Sequence, residues 1–506
     1  MVGPDVHAFA NPVPGTPAPH DGVVPEPTYG DQFNNAGIQG VKPEGQVEIR
    51  STPVRGRFAD GTRYTLQQPH YQLTQLGYGP MSPGVMLSPR IAPHLAGLGL
   101  IEAIHESEIL ANARDQAAAP GPIKGQPNRV WDAFAGREML GRFGWKANVA
   151  TLAHQTAGAF HGDIGITSNA FPQETCTPTQ KDCLAAPHGG GKRTGHDGLM
   201  PSSQASAQVP EIDDQTLGDV VFYAATLAPA ARRQPDNPQV LRGQALFAQA
   251  QCATCHRPSY TTGNTLFPRL TSARISGQRI WPYTDLLLHD MGEALADGRP
   301  DFLANGGQWK TPPLWGIGLF KDVNGHQRLL HDGRANGVLE AVLWHGGEAL
   351  KSKRAYEALT PQDIARLECV MRVARPPMLV AETFVLRPMV PPVGAGLFGA
   401  GAFDLGPGPG CNLFDEGGLG VRPVTGFVHV REQDGAHLPT DHDGGRHHRR
   451  HMDCGIGGAN TCGSRIGLKV TDPQHPARPQ FVEHAGDGRV AVAHGVAHRD
   501  LVAALA

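Results

Sequence analysis

The sequence predicts a mainly α-helical protein with long irregular loops. Two observations carry that prediction. Apolar residues recur at helical spacing in several separate stretches, and helix start signals precede the clearest of them. Glycine (64) and proline (44) are abundant among the 506 residues while aromatics make up only 6 %, which places long loops between the helices and argues against a coiled coil or a simple bundle. A formal charge of −3 gives no electrostatic case for nucleic acid or an anionic membrane surface as a partner. No apolar run approaches the ~20 residues needed to span a bilayer.

Residues 1–60 are rich in Pro and Gly with little periodicity and read as a loop-rich N-terminal segment. In residues 61–230 the stretch LAGLGLIEAIHESEILANA spaces Leu98, Ile101, Ile104, Ile109 and Leu110 for a helix. GRFGWKANVATLAHQTAGAFHGDIGIT predicts a turn and then a helix from Val149 to Phe160, and a further helix follows over 211–228. In ETCTPTQKDC, Cys176 and Cys183 close a short polar loop, as a disulfide of an oxidising compartment or as two surface thiols. Residues 237–373 read as one compact domain. Asn237-Pro238 opens a helix carrying Val240, Leu241 and Leu246. Thr360-Pro361-Gln362-Asp363 opens a closing one with a Thr cap, a Pro in the first turn and an acid three residues after the cap. Residues 374–506 are dense in Gly, Pro, His and Arg and predict a disordered tail. The spacing of its His run and of Cys454 and Cys462 matches no zinc pattern. Translation in a shifted reading frame would give the same composition.

Residues 251–259, QCATCHRPS, contain Cys252-Ala253-Thr254-Cys255-His256, the C-x-x-C-H signature of c-type haem attachment. Two thiols add to the porphyrin vinyl groups and the adjacent imidazole reaches the iron, so the motif predicts one covalent haem c. A chance match or half a zinc site are the competing readings, and the chain has no second C-x-x-C pair to complete a zinc pattern. With a helix before the motif and a closing helix after it, the plan is that of a cytochrome c-like haem domain. The sixth iron ligand decides whether such a haem shuttles electrons or binds substrate. Met291, His331 and His345 are the downstream candidates.

YTDLLLHDMG (283–292), KTPPLWGIG (310–318), LLHDGRANGVLEAVLWHGGEA (329–349) and the Trp145 segment quoted above resemble the di-haem oxidoreductase family over roughly residues 25–370. Its members are often labelled thiol oxidoreductases or peroxidases, and the family is distantly similar to bacterial di-haem cytochrome c peroxidases and methylamine-utilisation enzymes. The resemblance implies His345 as the second ligand of the haem, with Met291 next in line and His289 and Asp285 organising the haem edge. It also implies an inter-haem role for Trp145, and roles for Gln155 and Asp163 near a peroxide-binding haem, where a carboxylate would shuttle a proton. Nothing in the sequence argues for a thiol substrate.

Family members carry a first C-x-x-C-H near the N-terminus. The expectation is therefore that this motif, its haem and an export signal lie in a segment upstream of the present Met1. The function expected is a periplasmic haem oxidoreductase with a redox protein as electron donor or acceptor and peroxide as a candidate substrate. A pure electron-transfer cytochrome without catalysis is the alternative, as is the inactive product of a truncated, frameshifted gene.

Overall fold

The computed structural model describes residues 8–10, 13–190, 209–230, 234–265, 272 and 274–372. Helix accounts for 31 % of these and strand for 18 %. Among the described residues the strands form six two-stranded antiparallel sheets. The expectation of a mainly α-helical fold is therefore corrected: the described chain mixes helices with small hairpins, and its architecture does not by itself identify a cytochrome c-like domain. The predicted tail, with its His run, Cys454 and Cys462, lies outside the described residues.

The largest departure is a long hairpin. Strand Gln46–Arg57 pairs with Arg63–Thr74 in unbroken register from Gln46↔Thr74 to Arg57↔Arg63. Its turn is closed by Asp60, whose carboxylate accepts from the Thr62 amide at 2.8 Å, and by Gly61 in the left-handed region. Most of its side chains are exposed, so neither strand shows the alternating apolar face by which strands are recognised in sequence. The expected boundary between residues 60 and 61 falls inside this turn. Tyr64 nevertheless fixes the hairpin to the body of the chain, its hydroxyl donating to Glu357 at 2.7 Å, and Leu66 is buried in a core shared with Phe247, Tyr283, Trp344 and Leu367.

Helices form where local signals are complete. Thr151 accepts from the His154 amide and caps Leu152–Ile164, which ends at Gly165 with φ 66°. Asp213 caps Asp214–Thr226 in the same way. Over 95–113 the expected single helix is two, Leu98–Glu102 and Glu106–Ala118. Tertiary pairing breaks it: Ile104 bridges to Thr262, and the Gly263 amide donates to the Ala103 carbonyl at 2.6 Å. These helices share a core with Tyr260, Leu286, Leu287 and Trp315, so segments from both halves of the described chain bury one another. Cys176 and Cys183 form a disulfide, with Cα atoms 5.8 Å apart. No helix among the described residues is long and apolar enough to cross a membrane.

Asn237 caps helix Pro238–Gln249, which packs on the closing helix Pro361–Arg372. The two backbones approach so closely at Gly243 that a Cβ there would collide with the Arg366 carbonyl. Gly243→Val should therefore cost about 1–3 kcal/mol by overpacking. Urea denaturation reads this as a lowered midpoint at unchanged slope, and an unchanged midpoint would refute the close approach.

Candidate functional site

Helix Pro238–Gln249 delivers the chain into a tight turn. Gln251 takes φ 63°, Cys252–Thr254 form one 3-10 turn, and the His256 amide closes it by donating to the Cys252 carbonyl at 2.9 Å. The result sets Cys252, Cys255 and His256 in the wall of one large, mainly apolar cavity. The two thiols are not joined to each other. Burial pushes the Cys252 thiol up to about 12 and raises that of Cys255 as well, so both are protonated at neutral pH.

His256 Nδ1 lies 2.9 Å from the Tyr283 carbonyl. A carbonyl only accepts, so Nδ1 carries the hydrogen and Nε2 the lone pair. His345 repeats the arrangement: helix Val338–Trp344 ends at it, and its Nδ1 donates to the Ala341 carbonyl at 2.6 Å. Burial pushes His256 down to about 4 and also lowers His345. Both are neutral imidazoles with a basic Nε2, and both line the cavity that Cys252 and Cys255 line. This donor set fits a c-type haem: two thiols at the attachment spacing and two imidazoles of fixed tautomer. Met291 lines the same cavity.

His289 differs in kind. Its Nε2 donates to Asp285 at 2.9 Å and its Nδ1 to Glu348 at 2.7 Å, with the Cys255 sulfur 3.7 Å away. Burial opposes its charge, but the Asp285 carboxylate and the hydrogen bonds outweigh it and hold the ring well above the ordinary histidine value. With both nitrogens protonated it offers no lone pair. Gln116 fixes the cluster from outside, donating to Asp285 at 2.8 Å. The Lys124 amide donates to Glu348 at 2.8 Å.

His331 lies flat on the Trp309 indole, with ring centroids 3.6 Å apart and planes 7° from parallel. The buried Lys146 ammonium sits 4.4 Å from the same indole centroid and donates to Asp297 at 2.9 Å. Trp145 and Gln155 also line the cavity, and the Trp145 indole donates to the Ile91 carbonyl at 2.7 Å. Asp163 does not join them. It lies eight residues beyond Gln155 on the same helix, about 12 Å further along the axis, and accepts from Gln32 at 2.5 Å. Burial raises its carboxyl to about 7. Sequence reasoning missed several cavity residues, among them His94, Trp309, Lys310 and Glu348. Trp309 and Lys310 stand at or beside the quoted KTPPLWGIG, but no spacing rule singles them out.

A family model described as "Di-haem oxidoreductase, putative peroxidase" matches residues 24–372. No curated protein matches the chain. Among solved structures, a hydrazine synthase from Kuenenia stuttgartiensis pressurised with 20 bar xenon is similar at 14 % identity, covering 39 % of this chain. The match spans 63 % of that structure's chain, and its TM-score of 0.21 is too low to inform the fold.

Burial pushes His331 down to about 4, with the Asp332 charge pulling the other way. Between its ordinary value of 6.5 and about 4 the unfolded chain holds a proton there that the folded chain lacks. Stability should therefore fall as the pH drops through that window. Urea titrations across it should show a shallower fall for His331→Gln than for the parent; equal slopes would refute the assignment.

Proposed function

Because this chain belongs to the di-haem oxidoreductase family, we propose that it is a haem-dependent oxidoreductase in which Cys252 and Cys255 attach one c-type haem and His256 and His345 ligate its iron. The observation that carries the reading is the matched pair of imidazoles. Each has its Nδ1–H committed to a backbone carbonyl, and each lines the cavity of the two free thiols. Bound haem would supply one-electron transfer; the rest is the work of the chain's own groups, backbone carbonyls included. Tyr283 and Ala341 orient the two rings. The His289 imidazolium, held by Asp285 and Glu348, keeps a fixed positive charge beside Cys255.

Electrons would enter or leave through a periplasmic redox protein, with peroxide as the candidate substrate. In this reading Trp145 serves as an electron path along the cavity, and Gln155 takes the place the family resemblance gives it near a second haem. Asp163 would need to act from outside the cavity wall, where its tie to Gln32 holds it. A pure electron carrier is the second reading. Two neutral imidazoles favour it, because an iron ligated on both sides has no open position for peroxide.

The test begins with intact mass and a haem-to-chain ratio on the protein purified from the periplasm. One haem that resists acid-acetone extraction is expected, with release into the solvent in the Cys252→Ala/Cys255→Ala double variant. Haem-free native protein would sink the reading. Near-infrared magnetic circular dichroism should then show the bis-histidine signature and lose it in His345→Ala. An unchanged bis-histidine spectrum in that variant would remove the ligand role from His345, and a His/Met spectrum in the parent would give it to Met291. Peroxide turnover separates the enzyme from the carrier.

A further inference from the structure

Lys310 is the last residue of strand Gln308–Lys310, paired opposite Leu288. Its amide donates to the Trp145 carbonyl at 2.8 Å, so it joins the Trp145 segment to the strand that carries His289. The residue is 8 % exposed and lines the cavity. Its ammonium makes no hydrogen bond or ion pair among the described residues, although ammonium groups are almost never buried unpaired. The buried Lys146 shows the usual solution: one carboxylate and two carbonyls receive its three hydrogens.

Among the described residues no carboxylate pairs directly with the Lys310 ammonium; the buried Asp285 charge acts on it only from a distance. Glu348 is the one carboxylate among the described residues lining the cavity, and it is already shared between the His289 ring and the amides of Lys124 and Asp290. Arg142, Arg328 and Lys353 also line the cavity. His94 lines the same cavity, within reach of the Lys310 charge, and its two ring nitrogens are buried and without a hydrogen-bond partner. The Pro313 carbonyl is near enough to favour its protonated form without meeting hydrogen-bond geometry, while the Lys310 charge opposes that form. Burial pushes the His94 ring down to about 4 and the Lys310 ammonium down to about 8, with the Asp285 charge pulling Lys310 the other way. A cationic, hydrogen-rich wall facing an otherwise apolar space is matched by an anion with planar oxygen acceptors.

We propose that the Lys310 ammonium and the His94 imidazole form a carboxylate-binding subsite in the cavity wall. Two sources share that chemistry: a propionate of the bound porphyrin, or a free carboxylate held as substrate or ligand. The propionate source rests on the haem reading above; the free-carboxylate source does not.

The experiment compares the haem-loaded full chain with Lys310→Met, which keeps the length of the side chain, and Lys310→Arg, which keeps the charge. Haem labelled with carbon-13 at the propionate carboxyls reports the first source by infrared spectroscopy, and calorimetric titration with acetate reports the second. A labelled carboxylate band that moves in Lys310→Met but much less in Lys310→Arg supports the propionate. Acetate binding that weakens at least tenfold in Lys310→Met and is largely kept in Lys310→Arg supports the free ligand. If neither the band nor acetate binding responds to loss of the charge in a protein with parental circular dichroism, the subsite is refuted. Haem-free protein would defeat the haem reading alone and leave the acetate titration to decide this one.

Discussion

The cavity depends on one buried run of backbone, residues 282–289. A segment this deep survives only if its amides and carbonyls find partners, and here they find them on every side. The Thr284 amide donates to Arg257, Tyr260 donates to the Thr284 carbonyl, and Leu288 exchanges both bonds with Gln126. Leu314 and Thr311 donate to the carbonyls of Pro282 and Leu287. Tyr283 and Leu286 hold φ values of 56° and 60°, conformations that cost non-glycine residues about 1–3 kcal/mol each unless the surroundings impose them. The return on that strain is positional: the Tyr283 carbonyl fixes the His256 ring, and Asp285 fixes His289.

Charge in the site is arranged by the same logic. Two imidazoles are kept neutral by burial, and a third is kept cationic by two carboxylates, all along one cavity. Such a cluster contributes little net stability, since desolvation of its charges offsets most of their attraction. What it secures is a fixed protonation state and orientation for each ring. Those are what the proposed haem ligation would require of the protein around it.

The Trp145 segment and the His289 strand are not separate modules in this arrangement. Lys310 ties the two by its amide, and Trp309 beside it carries both His331 and the Lys146 ammonium against its ring. Trp309, Lys310 and His331 line the same cavity as the two thiols, Trp145 and Gln155.

Much of this was written in the sequence, and the physical reason is range. Asn237, Thr151 and Thr360 cap helices because a side chain needs to reach only two or three residues along its own chain. The C-x-x-C-H spacing likewise sets two thiols and an imidazole on one turn whatever surrounds them. Family resemblance added His345, which lines the same cavity. Tertiary structure decided the rest. The exposed hairpin has no apolar period to read, and the helix over 95–113 is broken by a bridge to Thr262, more than 150 residues away. Whether Gln155 and Asp163 share a site depends on where a helix axis runs, and the structure separates them. Lys310 is one lysine among 44 basic residues in sequence; only the fold takes its partners away and leaves it facing a cavity.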